Sequence, residues 1–330
     1  MKKFRGITLF LLLMLVAVVM VGCVSKDQNK EELKVEGIEK NIDDNSEDKN
    51  EEVQSFPVEV EDSFGNKETI EEEPMKIVSL APNNTEVLFA LGLGDKVIGV
   101  TSYCDYPAEA ATKEIIGDYS GNNLEKIVEL NPDLVLVYGA GKEEEVKILK
   151  DAGIKVLGFM PENIDAVIKD IETVGKATGK SKEAADLIEA MNQKKNDILD
   201  KVKGQEELKV FYEIWHDPLM AAGKGSFMDE LITLAGGKNI ANDAEGAYPQ
   251  YDLEQLVERD PEVYLTAQDM PDKTVESIKS RVGYENISAI KNDRVYLFEG
   301  NEANVVSRPG PRIIDALEIV AKAIHPELFK

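Results

Sequence analysis

Few side chains in this sequence are suited to ligating a metal. His216, in the segment WHDP, is one of only two histidines, and its imidazole could serve as an axial ligand to cobalt or iron. Cys104 stands beside two tyrosines as a soft-ligand candidate, although a lone cysteine is more often a small buried residue. Two histidines are too few for a zinc or manganese site built from histidines and carboxylates. The sequence therefore predicts no resident metal or cofactor, and favours His216 as a polar loop residue.

The motifs that usually mark an enzyme are also missing from the sequence. The segment GKATGKS at 175–181 is one residue short of the spacing of a phosphate-binding loop. The segment GKGSF at 223–227 lacks the glycine spacing of a hydrolase nucleophile elbow. No serine, histidine and aspartate set stands out as catalytic. These observations predict a protein that is not an enzyme, with a surface lipoprotein enzyme left as an alternative that turnover of a bound ligand would reveal.

An internal repeat indicates how the remaining candidate residues are positioned. The segment LEKIVELNPD at 124–133 returns 129 residues later as LEQLVERDPE at 253–262. Asn or Asp precedes each copy, Pro ends it, and an apolar run follows, which predicts a capped short helix leading into a strand. Similar helices and strands flank both copies. The sequence thus predicts an α/β fold of two similar lobes with a ligand cleft between them.

Other patterns predict the elements around this repeat. The segment at 56–70 alternates about Gly65 and Asn66, which predicts a β-hairpin. Asn83 and Asn84 are expected to cap the helix that follows the strand IVSLAP. Between the lobes, the Gly-free and Pro-free segment at 181–202 is rich in helix formers. One long helix there would join the lobes and restrict their relative motion.

The N-terminal region predicts export and a lipid anchor. Basic residues precede a run of thirteen apolar residues at 9–21, too short for an ordinary membrane span but typical of a signal peptide. Residues 20–23 resemble a bacterial lipobox, which implies cleavage before Cys23 and lipidation of its thiol; an uncleaved signal anchor is the alternative. The predicted boundaries are a signal peptide at 1–22, a lipidated and acidic tether at 23–56, an N-terminal lobe at 57–178, a connecting helix at 179–204 and a C-terminal lobe at 205–330.

Charge excludes one class of partner. The chain has 63 acidic against 38 basic residues and a formal net charge of −25, whereas nucleic-acid binding needs a basic face. An acidic surface also does not adhere to anionic lipid, so membrane attachment is expected to depend on the lipid at Cys23. We therefore expect the folded body to sit at the outer face of the cell membrane.

Several long segments together resemble one family. They are IVSLAPNNTEVLFALGLGDKVIGVTSYCDYP, GNNLEKIVELNPDLVLVYG, VFYEIWHDPLMAAGKGSFMDELITLAGGKNI and YPQYDLEQLVERDPEVYL. This chain resembles the substrate-binding proteins of bacterial ABC importers for iron chelates and cobalamin over most of 57–325. The SYCDYP and YPQ segments are most similar to the cobalamin-binding members. The resemblance implies two α/β lobes, a shallow cleft and one bridging helix that allows little closure.

The resemblance also implies which residues bind the ligand. In cobalamin-binding members aromatic side chains line the cleft, and such faces suit a large, flat, partly apolar corrin. Each tyrosine could instead pack only on its own lobe. Arg308, in SRPGPR, matches a place where siderophore-binding relatives present basic groups. Cobalamin is the first expected ligand, and a ferric siderophore or haem is the second. The expected ligand-binding residues are Tyr103, Tyr106, Tyr119, Tyr138, Trp215, Tyr248 and Arg308.

Glu125 and Glu254, at equivalent positions of the repeat, match the family position that docks onto arginines of the permease. One exposed carboxylate per lobe would fix orientation as well as charge. Alternatively, each glutamate is favoured in a first helical turn by the helix dipole alone. The expected partners are an ABC permease with its ATPase and a small-molecule chelate, and the chain is expected to act as a monomer.

Overall fold

The computed structural model describes residues 54–118 and 120–330. The predicted signal peptide, Cys23, all but the last residues of the acidic tether, and Tyr119 lie outside these residues. Among the helices of the described part, none is both long and apolar enough to cross a bilayer.

The described chain begins with the predicted hairpin, in which strand β1 (Val58–Glu61) pairs antiparallel with β2 (Lys67–Ile70). Gly65 adopts a φ of 79° in the connecting turn, a conformation that favours glycine. The Asp62 carboxylate accepts backbone hydrogen bonds at 2.9 Å from Phe64 and Asn66, and at 3.0 Å from Gly158. Asp62 therefore both forms the turn and fastens the hairpin to the sheet that follows.

A six-stranded sheet forms the centre of the first lobe, the name used here for this sheet and its helices. Its strand order is β6-β5-β4-β3-β7-β8, and all neighbours are parallel except β5 and β6. The central strands are continuously apolar because both faces are covered. The strands are β3 (Ile77–Ser79), β4 (Val97–Thr101), β5 (Glu114–Asp118), β6 (Gly121–Asn122), β7 (Leu134–Tyr138) and β8 (Lys155–Phe159).

Four helices belong to this sheet: α1 (Pro82–Ala90), α2 (Leu124–Leu130), α3 (Glu143–Asp151) and α4 (Ile164–Ala177). The expectation that Asn83 and Asn84 cap α1 is wrong, because the helix begins at Pro82 and both asparagines lie buried inside its first turn. Asn84 Nδ2 instead donates a 3.0 Å hydrogen bond to the carbonyl of Val137. These amides therefore join α1 to the end of β7.

Helix α5 (Ser181–Val202) follows and packs along α4 on one side and along the last helix of the chain on the other. Its 22 residues form one uninterrupted helix, as the composition predicts. The second lobe begins after it.

The second lobe contains a five-stranded sheet in which β9, β12 and β13 are parallel neighbours in that order. The outer edge of β9 pairs with β11 at one end and, antiparallel, with β10 at the other. Its strands are β9 (Leu208–His216), β10 (Leu219–Ala221), β11 (Gly237–Asn239), β12 (Val263–Ala267) and β13 (Val295–Phe298). Its helices are α6 (Phe227–Leu234), α7 (Leu253–Arg259), α8 (Val275–Lys279), α9 (Ser288–Lys291), α10 (Gly300–Ser307) and α11 (Ile313–Ile324).

The two copies of the repeat fold alike, which confirms the predicted repeat. Helices α2 and α7 have seven residues each and end in the left-handed conformation, at Asn131 (φ 48°) and Asp260 (φ 49°). Asn123 caps α2 as expected by accepting a bond from the Lys126 amide, whereas Asp252 precedes α7 without a side-chain capping bond. In each copy a proline follows and the backbone continues into a strand, β7 after α2 and β12 after α7.

One continuous apolar cluster runs through both lobes. It includes Leu136 and Phe159 of the first sheet, Leu265 of the second, and Met191 of α5. Since the same cluster contains the buried faces of α4 and α11, relative motion of the lobes would have to disturb packed side chains. The predicted α/β fold of two similar lobes is thereby confirmed, and the carboxyl ends of the parallel strands are left to form the candidate site.

Candidate ligand-binding cleft

A cavity of about 570 Å³ lies where the strands of the first sheet end. The loops after β3, β4, β5 and β7 form most of its wall, and the segment between α10 and α11 of the second lobe closes one side. Ligands commonly bind at the carboxyl ends of parallel strands and between lobes. Of the expected ligand-binding residues, the cavity is lined by Tyr103, Tyr138 and Arg308.

The two tyrosines of the SYCDYP loop have different surroundings. Tyr103 lines the cavity and is 49% exposed. The ring of Tyr106 instead lies under the guanidinium of Arg312, whose Cζ is 3.8 Å from the ring centroid. Cys104, between them, is buried and contacts Thr85 Oγ1 at 3.1 Å. Of the two tyrosines in this loop, Tyr103 is therefore the one that lines the cavity, and Cys104 is a buried packing residue.

Tyr138 lines the cavity at the end of β7, whereas Tyr248 of the second lobe is not among the residues that line it. Burial raises the pKa of both phenols, and the Glu162 carboxylate raises both further. Tyr138 also raises the pKa of Tyr248. About half of each side chain remains exposed, which leaves aromatic surface available to a ligand.

Trp215 and His216 lie at the end of β9 on the second lobe. Trp215 is half-buried, and its Nε1 donates a 2.8 Å hydrogen bond to the carbonyl of Asp217. His216 is exposed and lines a separate cavity of about 260 Å³ with Asp269 and Lys273. The tyrosine-lined cavity thus lacks His216 among its walls. Within 54–118 and 120–330, no three His, Cys, Asp or Glu side chains are grouped so that they could hold a metal ion.

Arg308 lines the cavity but is already paired. Its Nη1 is 2.6 Å from Asp105 Oδ1 and 3.5 Å from Glu86 Oε1, and its Nη2 donates to Asn304 Oδ1 at 3.0 Å. Burial alone would raise the pKa of Asp105, but the hydrogen bond and the charge of Arg308 outweigh it and lower that pKa. Arg308, one of the expected ligand-binding residues, therefore shares its positive charge with two carboxylates.

A second arginine beside it joins the two lobes. Arg312 Nε and Nη2 donate to the two oxygens of buried Glu86 at 2.7 and 2.6 Å, and Nη1 donates to Asn301 at 2.9 Å. Burial would lower the pKa of Arg312, but Glu86 raises it. Sequence reasoning missed Glu86, Arg312 and Asp105 as site residues. The available signal was a charged residue inside each of two apolar patterns, TEVLF and PRII, separated by 226 residues.

The cleft has no unpaired cation among the described residues that line its cavity. Besides Arg308, the only cationic side chain among these lining residues is Lys142, and it is paired too, since its Nζ is 2.9 Å from Glu145 Oε1. The cavity also contains Asp118, whose pKa is lowered by hydrogen bonds from Ser120. The wall therefore combines aromatic surface with balanced or slightly negative charge.

Glu125 and Glu254 lie in the first turns of α2 and α7, and both are exposed. In the part of the chain that the structure describes, neither carboxylate forms an ion pair or a hydrogen bond. One such acid stands on each lobe. The first turn of α2 closely follows Asn122, which lines the cavity.

Comparison with known proteins agrees with this geometry. The profile of the family described as "Periplasmic binding protein" matches residues 77–301. This protein belongs to that family. The match covers the whole first sheet, α5 and the second sheet, and it confirms the family resemblance drawn from the sequence.

Relatives of this periplasmic binding protein include two curated chains. It is 38% identical over 338 residues, covering 100% of both chains, to the "Uncharacterized ABC transporter substrate-binding lipoprotein YvrC" of Bacillus subtilis. It is 30% identical over 246 residues to a "Vitamin B12-binding protein" of Vibrio cholerae, covering 74% of this chain and 87% of the relative.

A solved structure from Staphylococcus epidermidis is similar to this chain with a TM-score of 0.69 and 30% identity. The similarity covers 77% of this chain and 100% of the other. That protein is described as "a possible an iron-binding (periplasmic solute-binding) protein". The relatives are thus named as binding proteins, and their named ligands differ.

Proposed function

We propose that this protein is the substrate-binding component of an ABC importer and that it captures a corrinoid such as cobalamin outside the cell. The family membership and the B. subtilis and V. cholerae relatives support the transport role. The observation that carries the choice of ligand is the character of the cleft wall, which has exposed tyrosines and paired cations.

The aromatic wall suits a corrin for two reasons. Tyrosine rings bury a large flat ring with few side-chain rotations to immobilise, and their hydroxyl groups can bind its peripheral amides. Cyanocobalamin has no net charge, so it does not require an unpaired cation in the wall. Tyr103, Tyr138, Tyr248 and Trp215 are the residues proposed to contact the ring.

An iron chelate is the second candidate. The S. epidermidis protein supports it by its description. Haem and many ferric siderophores are anionic, however, and burying a negative charge without a partner is costly. Arg308 would have to leave Asp105 to supply that partner.

We propose that the protein is held at the outer face of the cell membrane by lipid on Cys23 and that it delivers its ligand to a permease. The B. subtilis relative is named a lipoprotein. Glu125 and Glu254 are proposed to contact arginines of the permease, one from each lobe. Their exposure and lack of partners among the described residues leave both carboxylates available.

Titration of the purified protein with cyanocobalamin tests the ligand. Trp215 is the only tryptophan, so its fluorescence, corrected for absorption by the ligand, reports binding. We expect saturable quenching, with a 1:1 stoichiometry by calorimetry. Haem and ferric citrate serve as comparison ligands. No saturable response to cyanocobalamin, with tight binding of an iron chelate, would replace the corrinoid and keep the transport role.

A further inference from the structure

Arg308, in the cleft wall, has a counter-ion from the other lobe, the carboxylate of Asp105. Arg308 follows α10 in the second lobe, whereas Asp105 lies in the loop after β4 of the first lobe. Their contact is 2.6 Å long, and the Arg308 side chain keeps 15% of its surface exposed. Arg308 therefore lines the cavity, where a ligand would meet it, and Asp105 is its counter-ion beside the wall.

The side chains of Arg308, Arg312, Glu86 and Asp105 form one charged cluster. The sum of their charges shows what Asp105 contributes. Arg312 takes both oxygens of Glu86 in a two-pronged contact, so the charge of Glu86 is largely matched by Arg312. Glu86 is 3.5 Å from Arg308, farther than Asp105. Two arginines and two carboxylates leave no net charge. Without Asp105 the cluster would carry one positive charge, and Arg308 is the member that lines the cavity.

We propose that Asp105 is a specificity-determining residue that masks the charge of Arg308 and so disfavours anionic chelates in the cleft. This inference rests on the proposed role in ligand capture but does not depend on which ligand is natural. An anionic chelate must either displace Asp105 from Arg308 or remain without a cation, and each alternative has a cost. A chelate without net charge avoids both.

The test uses two probes that differ in charge but share a ring. Iron protoporphyrin IX carries two propionate groups, and its dimethyl ester carries none. We compare their affinities for the wild-type protein and for Asp105→Asn, which keeps the size of the side chain but removes its charge. One uncompensated charge at several ångströms, partly screened by solvent, is expected to tighten binding of the free acid about tenfold. Binding of the ester and of cyanocobalamin is expected to change less than threefold.

Two further variants separate charge from shape. Asn304→Ala removes the 3.0 Å hydrogen bond from Arg308 and the 3.2 Å hydrogen bond that Asn304 donates to Asp105. It leaves both charges in place, so it should not tighten binding of the acid. The double variant Asp105→Asn with Arg308→Gln should lose the gain. The gain should also shrink with added salt, because screening weakens the attraction. Asp105→Ser repeats the test should the asparagine variant not fold.

Three results would overturn the proposal: equal affinities of wild type and Asp105→Asn for the free acid, a gain of the same size for the ester, or a gain that persists without Arg308. Failure of the ligand proposal looks different, since the wild-type protein would then not bind cyanocobalamin at all. The acid and ester comparison would still decide the role of Asp105.

Discussion

The two lobes share the repeated helices α2 and α7, but one buried acid in each lobe has opposite surroundings. In the second lobe, Glu213 is fully buried with Lys273 Nζ at 3.0 Å and with Arg281 and the hydroxyl of Tyr264 as further partners. In the first lobe, Asp170 is 7% exposed and accepts one 2.7 Å hydrogen bond, from Ser63. Its second oxygen has no partner in the described structure.

The pKa values follow from these surroundings. Burial would raise the pKa of Glu213, but the hydrogen bonds and charges of its partners outweigh burial and lower it. For Asp170 burial dominates and the hydrogen bond from Ser63 offsets it only in part, so its pKa is raised to about 6. The two lobes thus share the repeated helices α2 and α7 but not the surroundings of these two buried acids.

Reversing both acids of the duplicated helices is expected to have the largest effect. Glu125→Arg with Glu254→Arg should abolish uptake of labelled cobalamin by cells, because each proposed permease contact becomes a repulsion between like charges. Each single reversal should reduce uptake less. The affinity of the purified double variant for cyanocobalamin should stay within twofold of wild type, since neither residue lines the cavity.

The matched control reverses two exposed acids elsewhere, Glu172 on α4 and Glu189 on α5, and so changes the net charge equally. Uptake with this control should resemble wild type. If the control loses uptake as fully as the test variant, net charge and not docking explains the loss. If uptake survives reversal of Glu125 and Glu254, the docking proposal fails.

The pKa of Asp170 is raised, whereas that of Glu213 is lowered. Asp170 should therefore make the free energy of unfolding fall as the pH rises, which is opposite to the effect of a carboxylate whose pKa is lowered. An acid whose pKa is about 6 in the folded protein and 3.8 ordinarily binds its proton more tightly when folded. The contribution of Asp170 to the free energy of unfolding is therefore highest below pH 4 and falls as the pH rises to 6. Above that range the loss amounts to up to about 3 kcal/mol.

Asp170→Asn should remove this contribution and raise the free energy of unfolding at pH 7.5, with little effect at pH 4. Urea denaturation at both pH values measures the difference. Ser63→Ala removes the one hydrogen bond that the Asp170 carboxylate accepts from the described residues, and should lower stability by about 1 kcal/mol. The groups that act on this carboxyl are Ser63, Asp62 and Lys169. If the free energy of unfolding changes between pH 4 and pH 7.5 by the same amount in Asp170→Asn as in wild type, Asp170 stays ionised at both pH values.

The sequence predicted those features that depend on local patterns. Alternation about Gly65 predicted the hairpin, and the repeated LE-x-x-VE core predicted α2, α7 and the strands after them. Such signals are contained within a dozen residues, where hydrogen-bonding geometry and apolar periodicity act directly. The long helix α5 was predictable for the same reason.

Contacts between distant segments could not be predicted in this way. Glu86 stands alone in an apolar helical pattern of the sequence, and its pairing with Arg312 appears only when the lobes are assembled. Asn83 and Asn84 looked like caps because they are polar, yet tertiary packing buries them. Tyr103 and Tyr106 were equivalent in the sequence, and only the position of Arg312 distinguishes them.

That distinction gives the smallest of the predicted effects. Tyr106→Ala removes a ring on which Arg312 lies, and should lower the free energy of unfolding by about 1 kcal/mol because a partly buried cation loses its aromatic partner. Its effect on cyanocobalamin affinity should be at most twofold. Tyr103→Ala should behave in the opposite way, with stability nearly unchanged and affinity about fivefold weaker, since that ring lines the cavity.

Denaturation and fluorescence titration of the two variants provide the measurements, and Tyr→Phe at each position serves as the control because it keeps the ring. If Tyr106→Ala weakens ligand binding more than Tyr103→Ala does, the stacked ring must leave Arg312 when the ligand enters. The cluster of Glu86, Arg308 and Arg312 would then rearrange on binding, and the first and second lobes would be less firmly joined in the ligand-bound protein than the structure indicates.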